Sequence, residues 1–237
     1  MRRLLAAARW DLQLQLRNGF YYASAFVAVV VILLLRQFPQ VDYGPFWPAI
    51  ILENLMINAF YFMSGLVLLE KGEGTLEAQI VTPLRRSEYL ASKVLTLGLL
   101  SLVETLVVVV AVSGIRFAWL PLIFGVLFLI GIFGLYGFIV VARYDSISEF
   151  LLPSVLWTLG YSLPLLYYFN VWRTSVMFLH PIQAPLVLIQ AAFDPGLPVW
   201  QLVYGVLYSA LWLGIAYYVA QRAFYRFVVR KEGVRAC

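Results

Sequence analysis

Residues 174–193 read Thr-Ser-Val-Met-Phe-Leu-His-Pro-Ile-Gln-Ala-Pro-Leu-Val-Leu-Ile-Gln-Ala-Ala-Phe. An uncharged run of this length could cross the ~30 Å hydrocarbon core of a bilayer, so its reading decides whether the chain spans the membrane six or seven times. His180, Pro181 and Pro185 interrupt it, and proline removes a backbone donor and clashes with the preceding turn of a helix. Charge gives a second test, because Lys and Arg accumulate on the cytoplasmic side. If the stretch does not cross, 14 of the 17 basic residues fall on one face and 3 (Arg36, Arg116, Arg173) on the other; if it does, the split is 9 against 8. The stretch is therefore read as re-entrant or interfacial, within an outer region covering 170–198.

Working outward, six apolar windows remain as spans: Phe20–Leu35, Pro48–Leu69, Val94–Ser113, Leu120–Val141, Ile147–Phe169 and Val199–Gln221. The predicted fold is all-α: a polytopic membrane protein of six transmembrane helices with both termini cytoplasmic and broken helices before the last span. The whole chain, 1–237, reads as one membrane domain. Ahead of the first span, residues 1–18 alternate Arg2, Arg3, Arg9 and Arg17 with Leu4, Leu5, Trp10 and Leu14, the pattern of an amphipathic helix lying at the inner surface.

Composition agrees. The chain is 63% hydrophobic and 12% charged over 237 residues, against roughly 45–50% and ~25% in soluble domains, which excludes a water-soluble globule. The net charge of +5 follows the membrane sidedness, so no nucleic-acid partner is expected. One cysteine and one histidine leave no ligand cluster for a metal. No H-E-x-x-H motif or Ser/His pair at helical spacing occurs, and the chain is not expected to be an enzyme.

Polar material concentrates in 70–93, between the second and third spans: Glu-Lys-Gly-Glu-Gly-Thr-Leu-Glu-Ala-Gln-Ile-Val-Thr-Pro-Leu-Arg-Arg-Ser-Glu-Tyr-Leu-Ala-Ser-Lys. Thr75 can cap a short helix with Glu77 in its first turn, Leu76 and Ile80 share a face, and Pro83 ends the helix. Ser87 with Glu88 is expected to cap the next helix.

This loop resembles that of ABC-2 type transporter permeases, through Glu73-Gly74-Thr75-Leu76-Glu77, Thr82-Pro83-Leu84 and the ending Ala91-Ser92-Lys93. The resemblance implies the permease subunit of an ABC exporter, with Glu73, Gly74, Thr75, Leu76, Glu77 and Ile80 in a helix that couples to a cytoplasmic ATPase. It implies two copies of that ATPase, and a second permease subunit, either another copy of this chain or a sibling. ATP and Mg would belong to the partner, since this chain has no G-x-x-x-x-G-K-[ST] phosphate loop and carries no cofactor of its own. The bacterial or archaeal cell membrane is the implied location. The implied cargo is a hydrophobic or amphipathic small molecule, drug-like as in permeases of the fluoroquinolone-export kind, with haem, lipid or polysaccharide as the alternative cargo. A channel or scaffold subunit without an ATPase is the alternative from another class.

Ionisable groups inside spans cost roughly 2.5–3.5 kcal/mol at mid-membrane and are functional candidates by default. Glu104, about 15 Å into the third span at 1.5 Å per residue, and Glu53 in the second are the two. Asn54 and Asn58 lie beside Glu53 at helical spacing. These four are candidates for the substrate path, with helix packing as the competing reading.

Overall fold

The computed structural model describes residues 2–76, 85–172 and 174–229. Glu77, Ile80 and Arg173 lie outside the described residues. All regular structure among the described residues is helical.

Helices α1 (Arg2–Arg17) and α2 (Phe20–Arg36) meet at a bend of 62°. The bend is made at Gly19, whose φ of 80° is open to a residue without a Cβ. The second span is one helical stretch in three parts: α3 (Trp47–Leu55), a π-helical turn (Met56–Tyr61) and α4 (Phe62–Gly72). Helices α5 (Arg86–Ser113), α6 (Trp119–Val141) and α7 (Ile147–Tyr168) follow, then α8 (Gln183–Phe193) and α9 (Val199–Ala223), which runs into a π-helical end at Phe224–Val229. Five of these helical stretches are long and apolar enough to cross a bilayer, and the bent α1–α2 pair supplies a sixth.

The segment 174–193 enters and leaves on one side. A 3-10 turn at Ser175–Leu179 descends along α9, where Tyr204 Oη donates to Phe178 O at 2.6 Å and Tyr208 Oη to Leu179 O at 2.7 Å. Helix α8, about 16 Å long at 1.5 Å per residue, then climbs back until Ala118 N at the start of α6 donates to Ala192 O at 2.9 Å. Pro185 falls in the first turn of α8, where its missing N–H has no partner to lose. Every residue from Ile182 to Ile189 is buried, so this non-spanning backbone is enclosed by protein, the condition for irregular chain at membrane depth.

One local expectation changes. Helix α5 starts at Arg86 rather than at Ser87: Arg85 caps it, and its N–H donates back to Glu88 Oε2 at 2.9 Å. The Ser87 hydroxyl lies two residues past the cap position, inside the first turn. Helix α1 leaves Leu5, Trp10 and Leu16 exposed and buries Asp11, Leu14 and Gln15 against the rest of the protein. Ser146 caps α7, accepting from Glu149 N.

Glycines set the spacing of α6. A Cβ on Gly137 would lie 2.5 Å from Phe60 O and 3.2 Å from Phe60 Cα, both backbone atoms of the π-helical turn, whereas one on Gly131 would meet the mobile Cδ1 of Leu213. Gly137→Ala is expected to cost about 1–3 kcal/mol by overpacking. Gly131→Ala should stay within about 1 kcal/mol of the parent, because the leucine can rotate away and alanine favours the helix. Thermal unfolding of the two variants in detergent compares them; equal losses would refute the backbone clash.

Candidate functional site

The loop ends meet. Glu70 closes α4 and Lys93 lies two turns into α5, and their side chains, both fully buried, form an ion pair. A second carboxylate, Asp11 of α1, approaches Lys93 Nζ at 2.8 Å. Tyr89 Oη donates to Glu70 Oε2 at 2.7 Å and Ser92 Oγ to Asp11 Oδ2 at 2.5 Å, while the ammonium also rests over the Tyr89 ring at 4.6 Å. Two carboxylates, one ammonium and two hydroxyl donors thus satisfy one another away from water, as a buried ionic group requires. One turn along, Gln15 Nε2 donates to Thr96 Oγ1 at 2.8 Å. The cluster fixes α1, α4 and α5 to one another at the point where the loop leaves and rejoins the membrane.

Of the candidate coupling residues, four are described. Glu73 pairs with Arg17 of α1 at 3.1 Å on the surface, a contact worth at most about 1 kcal/mol. Gly74 takes φ 68° with open space where a Cβ would be, turning the chain out of α4. Thr75 Oγ1 donates to Glu70 O at 3.2 Å, and Leu76 is buried in the core cluster. The loop is thereby seated on the charge cluster through Glu70 itself. Glu77 and Ile80 fall outside the described residues.

Asp11, Glu70 and Lys93 were not among the sequence candidates. Glu70 and Lys93 are the first and last residues of the loop motif, which is a signal of sorts. Asp11 is the one acid in a basic helix, and its neighbour four residues on, Gln15, is the other polar group on the buried stripe.

Mid-membrane, the structure joins three of the four candidate path residues. Asn54 Nδ2 donates to Glu104 Oε2 at 2.7 Å, Asn58 Nδ2 lies 3.2 Å from the same oxygen, and Ser101 Oγ lies 3.2 Å from Asn58 O. Asn58 sits inside the π-helical turn, a feature that often marks functional positions; Ser64 Oγ, near Phe60 O at 2.8 Å and Gly137 O at 3.2 Å, supports the turn. All three side chains are buried, and Glu104 Oε1 and Asn58 Oδ1 have no donor. A proton on the carboxyl would supply one. The outward face of α5 is instead Leu95, Leu99, Val103 and Val107. Glu53 stands apart, on the exposed side of α3, accepting from Ser162 Oγ of α7 at 2.8 Å.

A family model described as the fluoroquinolones export permease protein family matches residues 2–232. Two curated relatives, the fluoroquinolones export permease proteins of Mycobacterium tuberculosis strains CDC 1551 / Oshkosh and ATCC 25618 / H37Rv, are each 33% identical over 236 residues, spanning 99% of this chain and 100% of theirs.

Proposed function

The chain belongs to the fluoroquinolones export permease protein family, and from that premise we propose that it is the membrane subunit of an ATP-driven exporter of drug-like, fluoroquinolone-type molecules in the cell membrane. It is a multi-pass membrane permease; the ATP-hydrolysing partner, the pairing of two permease subunits and the cargo belong to the proposal. The observation that carries the coupling reading is the seating of the Glu73–Leu76 loop start on the buried Asp11–Lys93–Glu70 cluster. A force applied to the loop by a cytoplasmic ATPase reaches α1, α4 and α5 together, because the cluster prevents the loop ends from moving apart. The Glu53–Ser162 pair, at the exposed junction of α3 and α7, is the proposed contact for a cationic group of the cargo, with Asn54, Asn58 and Glu104 behind it.

The test is purification from the native membrane in mild detergent. A stoichiometric ATPase should accompany the chain, and be lost when 74–81 is scrambled. Recovery of the chain alone, under conditions that hold another transporter complex of the same membrane together, would overturn the coupled reading in favour of a channel or scaffold.

A further inference from the structure

At the basic end of the bundle, the last span carries a groove of about 890 Å³ lined by Arg86, Arg143, Arg222 and Arg226 together with Tyr218 and Tyr225. Among the described residues, no acidic side chain contributes to its lining and none of the four guanidinium groups is in an ion pair with a carboxylate. Each instead lies over an aromatic ring: Arg86 over Tyr225 at 4.6 Å, Arg222 over Tyr218 at 4.6 Å, Arg226 and Arg143 over Phe227 at 5.4 and 5.7 Å. Stacking of this kind holds the planar cation in place while leaving its N–H fork free to donate to an oxyanion.

Depth follows from helix length. From Val199, the start of α9, to Tyr217 is about 27 Å at 1.5 Å per residue, close to the hydrocarbon thickness of ~30 Å. Arg222 is then about 7 Å further, in the headgroup layer. Arg143 lies two residues past the end of α6 and Arg86 at the start of α5, so residues from three helices converge at that level. Tyr218 and Tyr225 are exposed there, as rings at a membrane interface are.

We propose that this groove is a binding site for the phosphate of an anionic phospholipid of the inner leaflet, held by the four arginines with its glycerol end against the tyrosines. Basic pockets between helices on the cytoplasmic side suit such headgroups, and the guanidinium fork pairs bidentately with phosphate oxygens. The site is independent of the cargo and of the ATPase.

The experiment is native mass spectrometry of the delipidated full chain titrated with phosphatidylglycerol, with phosphatidylcholine as the neutral reference. Phosphatidylglycerol should bind at least tenfold more tightly. Arg143→Gln with Arg222→Gln should bring it to the phosphatidylcholine level, while Arg36→Gln with Arg116→Gln, at the opposite end, should leave it unchanged. Arg222→Lys alone, which retains charge and lacks the fork, should lose a few fold; thermal unfolding confirms that each variant is folded. Equal binding of the two lipids, or the same loss from the Arg36 and Arg116 pair, would overturn the site. Displacement of phosphatidylglycerol by millimolar inorganic phosphate or glycerol 3-phosphate would overturn the lipid assignment in favour of a soluble phosphate ligand.

Discussion

Lys93→Met is expected to destabilise the folded chain by about 3–5 kcal/mol, the usual consequence of removing one partner from a buried ionic group. The ammonium pairs with both Asp11 and Glu70; without it, two buried carboxylates face each other, with the Tyr89 and Ser92 hydroxyls donating to one each. One or both must then take up a proton or drag in water. Combining Lys93→Met with Asp11→Asn and Glu70→Gln removes every charge at nearly constant volume, and such neutral replacements are often as stable as the original. Thermal unfolding in detergent should therefore fall for the single variant and recover for the triple one. Transport should separate the two roles. If the ion pair carries force from the loop, the triple variant will be stable and still export poorly. Recovery of export together with stability would reduce the cluster to a packing device.

That cluster is the part of the molecule least legible in the sequence. The spans could be read because hydrophobic length is a local property of the chain, and each window contributes its own evidence. His180, Pro181 and Pro185 identified the segment that does not cross for the same local reason. The partners of Lys93, by contrast, lie 23 and 82 residues away, and no periodicity marks them. Asp11 looks like an ordinary surface acid until α1 is seen to turn its polar stripe inward. The π-helical turn is equally silent: Met56–Tyr61 has the composition of any apolar helix, and only the register that brings Asn54 and Asn58 together on Glu104 reveals it. Glu104 and the two asparagines were recoverable as candidates, since polar groups are rare in a span. Glu53 precedes Asn54 and points about 100° away around the helix, and which of the two faces inward depends on the packing of α3 against its neighbours, which sequence alone does not orient.

Leu76→Asp is expected to abolish export, by more than tenfold, while leaving the spans folded. Leu76 is buried in the core cluster just after Gly74 turns the chain out of α4, so a carboxylate there faces an apolar wall without a partner. Burying such a group costs several kcal/mol, and the loop can avoid the cost by lifting away from the membrane domain, which disturbs far less structure than unfolding a span. Proline at the same position is a weaker disruption. Thr75 is the expected N-cap of the loop helix, and proline is tolerated in a first turn. On the proposed mechanism the detached loop no longer transmits movement to Glu70, so the copurified ATPase should hydrolyse ATP at its basal rate and lose stimulation by a fluoroquinolone. Leu76→Met, with similar volume and no charge, should retain both activities. Unchanged export by the Asp variant, with its unfolding temperature equal to the parent's, would mean that the loop start is not the path of coupling, and the ion pair behind it would have to be explained by stability alone.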